Sequence, residues 1–373
     1  MPELKEGLAG VVVAQSRISK VFGEEGRLIY RGYDIDDLAE GASFEETAHL
    51  LWHGELPDEK ELQAFEDELA SRRRLPDDVL DLVAGPLAEA HPMAALRTAV
   101  SALASEGPEP AATPEGVLAA GADILAKMPT IVGAHARARR GLDPVEPDED
   151  LSHAGSFLQQ LTGERPSEEA ERAMDLALVL HADHGLNAST FSARVTASTL
   201  SDAYSAVTSA IGSLKGDLHG GANANVMRVL ETIEEQGDDP VQHVKRRLDA
   251  GEKIPGFGHR VYRTMDPRAV HLKDWSRRLG EATGETRWYE TIRAIEDFIR
   301  EEKELPPNVD LYSGSVYRCM GIDIEYYTPI FAMSRCAGWI AHVAEQYDGN
   351  RLIRPRAEYV GDLDRAWQDI EDR

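Results

Sequence analysis

Long stretches of helical periodicity restrict this chain more than any other feature of its sequence. Amphipathic or apolar helical patterns recur along it at 58–74, 167–183, 223–236, 287–305 and 328–347. A sixth stretch, 191–214, carries two charges among many Ala, Ser and Thr residues. Because small side chains let helices approach closely, we expect one long helix there, buried within the molecule or at a subunit interface. These patterns predict an all-α fold.

Strand signals are confined to the N-terminal region. The segments 10–15 and 26–35 have strand-like composition and predict one short hairpin. Ser167 is expected to cap the helix that follows it. In the last predicted helix we expect Thr328 to be the cap and Pro329 to occupy the first turn, where its missing N–H costs nothing. The predicted fold class is all-α with at most a small N-terminal β-hairpin.

Length and apolar content bound the broad class of protein. A chain of 373 residues can bury a substantial core in one large or two unequal domains. No apolar run approaches the roughly 20 residues that span a bilayer, and the first ten residues do not resemble a signal peptide. Cys319 and Cys336 lack metal-ligand spacing, so we expect reduced core cysteines in a cytoplasmic protein.

The net charge of −26 disfavours several partners. Nucleic acids and anionic membranes bind basic surfaces, so neither is expected to bind this chain. Only nine of the 40 basic residues are lysine. We expect a halophilic source, because salt screens the self-repulsion of an acidic, lysine-poor surface. The simpler alternative is an ordinary acidic cytoplasmic protein.

Two histidines stand three residues apart at a helix end, in the segment HADHGLNAST, 181–190. With this spacing His181 and His184 share a helix face and could bind a metal ion. No cluster of carboxylates or cysteines nearby completes such a site, so no metal is expected. A structural histidine and a substrate-binding histidine remain open alternatives.

Another histidine precedes two glycines and a helical pattern in SLKGDLHGGANANV, 213–226. The partial positive charge of a helix N-terminus disfavours a second proton on His219. A neutral imidazole there could donate a hydrogen bond to a carbonyl oxygen and stabilise an enolate. Alternatively, the glycines only form a turn. A phosphate cradle is a weaker alternative, because neither a Walker pattern nor GxGxxG is present.

Cations gather in the irregular segment GFGHRVYRTMDPR, 256–268, although the chain is acidic overall. His259 lies there beside Arg260, Arg263 and Arg268. Several arginines around one histidine favour a clamp for phosphates or carboxylates over a solvated basic loop.

Two further charged residues are candidates for a site. Asp310 could cap the helix that follows it, or it could act as a carboxylate base near a reacting carbon. Arg335 is the only charge between Thr328 and Ile340, and an arginine in so apolar a stretch needs an anion. That anion is either a structural carboxylate or a bound ligand.

Together these segments resemble the citrate synthase family over essentially the whole chain. The resemblance lies in seven segments in family order: RLIYRGYDIDDLAEGASFEETAHLLWHGELP, HADHGLNASTF, LKGDLHGGAN, PGFGHRVYRTMDPR, NVDLYSGSVYR, MSRCAGWIAHVAEQ and IRPR. The compact length and HADHGLNASTF are similar to the short archaeal and Gram-positive type, without the longer N-terminal extension of other members.

The resemblance implies an all-α homodimer of two-domain subunits, with the active site in the cleft between the domains and completed across subunits. The large domain would comprise residues 1–219 and 319–373, and the small, CoA-binding domain residues 220–318. Family members join acetyl-CoA to oxaloacetate and release citrate and CoA, without a metal ion or other cofactor.

The catalytic roles of the family match three residues of this chain. Asp310 would remove a methyl proton from acetyl-CoA, neutral His219 would hydrogen-bond the thioester oxygen, and His259 would protonate the keto oxygen of oxaloacetate. The resemblance also assigns binding residues for both substrates. These are His184, Arg268, Arg335 and, from the partner subunit, Arg354 for oxaloacetate, and Lys253, Ile254, Pro255, Gly256, Phe257 and Arg263 for CoA.

Three other functions remain open. A 2-methylcitrate synthase would share the catalytic residues and use propionyl-CoA, and one methylene is worth only about 1–3 kcal/mol in a pocket. A helical scaffold protein would release no CoA from the two substrates. A related lyase would run the same chemistry towards cleavage, and the catalytic residues do not distinguish the direction.

Overall fold

The computed structural model describes residues 4–8, 10–106, 110–259 and 261–373. Arg260, one of the cations noted in the sequence, lies outside the described residues. Within them the fold consists of sixteen α-helices and a single three-stranded sheet. The predicted all-α class is therefore confirmed.

The sheet is antiparallel, with strands in the order β1-β2-β3. Its strands are β1 (Ser19–Phe22), β2 (Arg27–Tyr30) and β3 (Tyr33–Asp34). A hairpin near the N-terminus is confirmed, but the prediction that residues 10–15 form its first strand is wrong. The turn at residues 23–26 directly precedes β2, so it pairs β2 with the four residues before the turn. Segment 10–15 is too far from that turn to pair in register.

The first half of the chain supplies eight helices that pack around a common core. They are α1 (Ile35–Gly41), α2 (Phe44–His53), α3 (Glu59–Arg72), α4 (Asp77–Ala84), α5 (Pro92–Leu103), α6 (Pro114–Ala138), α7 (His153–Thr162) and α8 (Glu168–His181). Ser167 caps α8 as predicted, because its Oγ accepts a hydrogen bond from the backbone N–H of Ala170 at 3.2 Å.

Helix α6 corrects the expectation that no segment is apolar enough to span a bilayer. Among the described helices it alone has the required length and hydropathy, with a mean hydropathy of 1.4 over an 18-residue window. However, 83% of that window is buried inside the fold. A helix that packs against other helices on all sides needs an apolar surface all round. Burial in the core therefore explains the composition of α6.

The predicted single helix at 191–214 is wrong. The structure has two helices there, α9 (Ala188–Ala197) and α10 (Ala203–Leu214), which pack against each other. The break includes Leu200 at a positive φ of 65°. Asp202 then caps α10 by accepting a hydrogen bond from the backbone N–H of Ser205 at 2.9 Å. One of the two charges in this stretch was therefore a helix start signal.

Six helices complete the fold: α11 (Ala222–Gln236), α12 (Pro240–Asp249), α13 (Pro267–Thr283), α14 (Thr286–Lys303), α15 (Val309–Cys319) and α16 (Tyr327–Tyr347). Helices α11 to α15 pack mainly against each other, and α16 runs through the core against helices from both halves of the chain. The proposed domain boundaries remain a prediction.

The start of α16 differs from the prediction. Thr328 is the second residue of the helix and not its cap, and its Oγ1 donates to the carbonyl oxygen of Gly220 at 3.0 Å. Pro329 occupies the first turn as predicted. Both Cys319 and Cys336 are buried and unpaired.

Candidate active site

A cavity of about 1010 Å³ lies between the N-terminal sheet, the end of α8 and the helices α13, α15 and α16. Most of the residues predicted to act on or bind oxaloacetate and the thioester line its walls together. These are His184, His219, His259, Arg268, Asp310 and Arg335. The fold thus assembles one cavity, the cleft, from residues that are far apart in the sequence.

The remaining predicted residues do not line the cleft. Arg354 is exposed in the segment that follows α16. The six residues assigned to CoA are all described, and none is part of the cleft wall. Ile254 is buried, whereas Lys253 and Arg263 are exposed. Their segment leads directly to His259, so their role near CoA stays a prediction.

Gly256 explains how this segment approaches α15. Its φ is +87°, and a Cβ there would lie 2.7 Å from a side-chain atom of Leu311. The carbonyl oxygen of Gly256 accepts a hydrogen bond from the backbone N–H of Asn308 at 3.0 Å. Asn308 also caps α15 by accepting from the backbone N–H of Asp310 at 3.0 Å. These contacts fix the start of α15 beside the segment that carries His259.

Contacts with Ser189 determine which nitrogen of His219 carries the proton. The backbone N–H of Ser189 donates to Oδ1 of Asn187 at 3.1 Å and also to Nε2 of His219 at 3.2 Å, and we therefore assign a lone pair to Nε2. Ser189 Oγ lies 2.8 Å from the same nitrogen and accepts from Nε1 of Trp339 at 3.1 Å. The proton of the neutral ring is therefore on Nδ1. Ser189 belongs to the segment HADHGLNAST, but the sequence analysis predicted no role for it.

The protonation state of His219 agrees with this assignment. Burial, assisted by the positive charge of Arg335, lowers the pKa of His219 to about 4. The sequence analysis expected a helix N-terminus to keep His219 neutral, but α11 begins only at Ala222, three residues further on. Burial in the cleft is the main cause instead. At neutral pH the ring can donate a hydrogen bond from Nδ1 without being cationic.

His259 is held in the opposite tautomer. Its Nδ1 accepts hydrogen bonds from the backbone N–H groups of Val261 at 3.0 Å and Tyr262 at 3.1 Å. Nε2 therefore carries the proton of the neutral ring. Burial and then the charge of Arg268 lower the pKa of His259. His219 and His259 are thus neutral imidazoles at the cleft, each with one N–H left to donate.

His184 and His181 separate into two roles. His184 lines the cleft, with its ring centroid 5.2 Å from that of His259 and its Nε2 3.4 Å from the hydroxyl of Tyr262. His181 is buried, and its Nδ1 contacts the carbonyl oxygen of Ala177 at 2.7 Å. The spacing therefore does not direct both rings to one ligand. Across the described ranges no three His, Cys, Asp or Glu side chains cluster as metal ligands.

Asp310 lies in the first turn of α15 with its side chain at the cleft. Asn308 is the cap, so the capping alternative for Asp310 is wrong. No described residue donates a hydrogen bond to the carboxylate of Asp310. Burial raises its pKa to about 6. A carboxylate that is ionised at neutral pH, yet more basic than usual, suits proton abstraction.

Arg268 is paired with a carboxylate that the sequence analysis missed. Its Nε and one terminal nitrogen donate to the two oxygens of Asp266 at 2.9 and 2.7 Å. Both side chains are buried. Burial alone would lower the pKa of Arg268, but the ion pair raises it. Asp266 also caps α13, and an Asp before Pro at a helix start was the available signal.

Arg335 is buried on α16 and held from two sides. Its Nε donates to the carbonyl oxygen of His181 at 2.7 Å, and its guanidinium lies 4.7 Å from the ring centroid of Phe331. Burial lowers its pKa, and Asp183 is the strongest of the charges that oppose this. No described carboxylate forms a direct ion pair with Arg335, so a ligand in the cleft can pair with it.

The N-terminal segment forms a wall of the cleft that the sequence did not predict. Part of the cavity is lined by this segment and by Val21 of β1. The lining residues of the segment are Gly7, Leu8, Gly10, Val11 and Val13. No motif distinguished this segment; only its position in the fold brings it to the cleft.

The cleft combines three chemical capacities. Asp310 can take a proton, the N–H groups of His219 and His259 can stabilise oxygens that develop negative charge, and Arg268 and Arg335 can bind carboxylates. This set suits the formation of an enol or enolate and its addition to a small anionic substrate.

Comparison with known proteins identifies the family. The family described as "Citrate synthase, C-terminal domain" matches residues 7–356. A citrate synthase of Haloferax volcanii is 58% identical over 377 residues, covering 100% of this chain and 99% of the relative. A 2-methylcitrate synthase of Mycobacterium tuberculosis is less similar, at 43% over 96% of this chain and 91% of its own length.

Solved structures agree with this assignment. The citrate synthase of Thermoplasma acidophilum, solved as a ternary complex with carboxymethyl coenzyme A and oxaloacetate, has a TM-score of 0.94 to this chain at 34% identity. The match covers 100% of both chains. The chain therefore belongs to the citrate synthase family of acyl-transferring enzymes.

Proposed function

We propose that this enzyme condenses acetyl-CoA with oxaloacetate and water to give citrate and CoA. The observation that carries the proposal is that His219, His259 and Asp310 line one cleft together with two arginines. Membership of the citrate synthase family gives the reaction class, and the protonation states of these side chains suit it.

The first step removes a proton from the methyl group of acetyl-CoA. Asp310 takes this proton, and the electron pair of the C–H bond moves to the thioester oxygen. A thioester methyl is a very weak acid, so the oxygen must be stabilised as the charge develops. The Nδ1–H of His219 donates to that oxygen. Asp310 is then the protonated acid.

The second step forms the carbon–carbon bond. The carbon of the enolate attacks the keto carbon of oxaloacetate, and the keto oxygen receives a proton from Nε2 of His259. His259 is restored by the proton that Asp310 took in the first step, so Asp310 returns to its ionised form. Water then adds to the carbonyl carbon of the citryl thioester and the C–S bond breaks. One proton of the water goes to the CoA thiolate and the other to solvent, which leaves free CoA and a carboxylate. Every step is a proton transfer or acyl chemistry, so the proposed mechanism uses no metal ion or other cofactor.

Oxaloacetate is a dianion, and planar guanidinium groups match its carboxylates. We assign its binding to His184, Arg268 and Arg335, with Arg354 of the partner subunit completing the site. The segment 253–257 and Arg263 would contact CoA. Small-domain helices within 220–318 would then close over both substrates.

A homodimer is supported by the exposed segment after α16. Residues 348–373, all of which the structure describes, contain no α-helix. They present large apolar side chains to solvent. Val360 is 90% exposed and Trp367 is 82% exposed. A second copy of the chain would cover such side chains and bring Arg354 to the other cleft.

Complementation between two inactive variants tests the shared site. We expect Arg354→Ala and Asp310→Ala to be inactive separately, and co-expression to restore thiol release. A mixed dimer would then contain one cleft with both residues intact. A dimer that remains inactive after co-expression, with heterodimer formation shown by mass spectrometry, would place Arg354 outside the partner's cleft.

We also propose a halophilic, cytoplasmic origin. A thiol-release assay with two acyl donors and a KCl series tests the activity and the halophilic part of this proposal. We expect kcat/KM to favour acetyl-CoA over propionyl-CoA, and both activity and stability to rise towards molar KCl. The charge of −26, the few lysines and the similarity to the Haloferax volcanii protein support the salt expectation. Preference for propionyl-CoA would indicate a 2-methylcitrate synthase, and an optimum in dilute buffer would contradict the halophilic origin.

A further inference from the structure

Asp183 is a fully buried carboxylate just beneath the cleft, and no step of the proposed mechanism uses it. Its Oδ2 accepts hydrogen bonds from the hydroxyl of Ser19 and from the backbone N–H of Gly185, the latter at 2.9 Å. The same hydroxyl accepts from the N–H of Gly185 at 3.0 Å. Residue 184, between the two ends of this turn, is the histidine that lines the cleft.

The backbone of Asp183 is fixed as well. The hydroxyl of Tyr30 donates to its carbonyl oxygen at 2.7 Å and accepts from its N–H at 3.1 Å. Strands β1 and β2 therefore hold the residue through both its side chain and its main chain. The turn that carries His184 is attached to the sheet on one side.

Helix α16 holds the turn from the other side. A Cβ at Gly338 would lie 2.5 Å from Oδ1 of Asp183, so only glycine lets the helix approach this carboxylate. The backbone N–H of Gly338 also donates to the carbonyl oxygen of Ala182 at 3.1 Å. The side chain of residue 183 thus has no room to shift towards α16.

A second residue of α16 faces the same oxygen. Nε2 of His342 lies 3.3 Å from Oδ1 of Asp183, and both side chains are completely buried. Arg194 is 3.4 Å from Nδ1 of His342 and can only donate, so the proton of a neutral His342 is on Nε2, facing Asp183. Arg194 in turn is paired with Glu345 at 2.8 Å. Arg194, His342 and Asp183 are thus neighbouring buried side chains between α9 and the turn that carries His184.

We infer that Asp183 is a positioning residue for oxaloacetate binding, because its carboxylate clamps the turn that directs His184 into the cleft. The inference rests on the proposed function for the identity of the ligand. The positioning role also predicts the direction in which the affinity for oxaloacetate changes when this carboxylate is removed. A negative charge near a dianion is unfavourable by itself, so a role through charge alone and a role in positioning predict opposite effects.

Removing the carboxylate of Asp183 tests the predicted direction of the change in oxaloacetate binding. In Asp183→Ala we expect KM for oxaloacetate to rise by about ten- to a hundredfold, since small misplacements of a binding group have effects of that order. Asp183→Asn is expected to give a smaller rise, because its amide oxygen can still accept from Gly185. In both variants kcat at saturating oxaloacetate and KM for acetyl-CoA should change less than about threefold.

Asp175 provides the matched control. It is a buried aspartate on α8 that accepts a hydrogen bond from the backbone N–H of Phe44 at 2.9 Å, and it does not line the cleft. Asp175→Ala and Asp175→Asn should lower the melting temperature without changing KM for oxaloacetate. Equal changes of KM at both positions would overturn the inference, and so would unchanged or tighter oxaloacetate binding at position 183.

A second variant, Ser19→Ala, and a direct measurement of oxaloacetate binding complete the experiment. If Asp183→Ala does not fold, Ser19→Ala removes one clamp and keeps the carboxylate, and we expect a several-fold rise in KM for oxaloacetate. An unchanged KM would overturn the inference. Calorimetric titration with oxaloacetate alone measures its binding even if the wild-type protein releases no CoA. Failure of the proposed function is then distinguishable from failure of the positioning role.

Discussion

Replacing Asp310 with Asn is expected to lower kcat by about 10²–10⁴-fold, the usual contribution of a general base. The amide keeps the shape of the side chain but cannot accept the methyl proton. Because Asp310 lies at the cleft and does not cap α15, the fold should persist. Initial rates of thiol release at saturating substrates measure the effect, and circular dichroism checks the helical content.

The pH dependence provides a second measure of the same role. Burial raises the pKa of Asp310 to about 6, and only its ionised form can take a proton. The wild-type kcat should therefore fall as the pH drops through about 6, provided that proton abstraction limits the rate. Asp175→Asn, a substitution of a buried aspartate away from the cleft, should retain wild-type rates. Near-normal turnover by Asp310→Asn would contradict the assignment of the base.

The second large effect is expected at His219. His219→Ala should lower kcat by about 10²–10³-fold, the loss seen when one donor to a developing oxyanion is removed. The lost group is the Nδ1–H, whose position follows from the backbone N–H of Ser189 donating to Nε2. KM for oxaloacetate should change little, because His219 acts on the thioester. Steady-state kinetics with each substrate varied in turn separate these effects.

Ser189→Ala is a graded control for this prediction. It removes the hydroxyl next to Nε2 but keeps the backbone N–H that fixes the tautomer, so a smaller loss of kcat is expected. If His219→Ala retained nearly full activity, or if Ser189→Ala were the more damaging change, the role of the Nδ1–H would be refuted.

Local sequence signals predicted the helices well where their starts were chemically marked. Asp58 and Glu61 form a capping box at the start of α3, and Ser167 caps α8, both within the predicted stretches. The helix at 191–214 was predicted wrongly because its composition is uniform. The cap at Asp202 and the positive φ at Leu200 interrupt it, and apolar periodicity detects neither.

In the candidate site, too, the sequence indicated some residues and only the fold revealed others. Motifs selected His219, His259 and Asp310, but no local pattern showed that Ser189 would contact His219. The Asp-Pro pair at 266–267 marks Asp266 as a helix cap, but not as the ion-pair partner of Arg268. Such pairs form between elements distant in the chain, or between neighbours whose directions depend on packing. The part of the cleft lined by Gly7, Leu8, Gly10, Val11 and Val13 is a similar case, since the sequence analysis predicted only a strand at 10–15.

The sequence by itself determined the helical class, the approximate bounds of five of the sixteen described helices and the residue types available for enolate chemistry, because periodicity, caps and motifs are local properties. Only the tertiary structure decided three things: which histidine nitrogens carry protons, which of the two cleft arginines has no carboxylate partner among the described residues, and that His184 rather than His181 lines the cleft. Those outcomes depend on burial and on hydrogen bonds between distant segments. The pKa and orientation of a side chain are set by these contacts, and they exist only after the chain has folded.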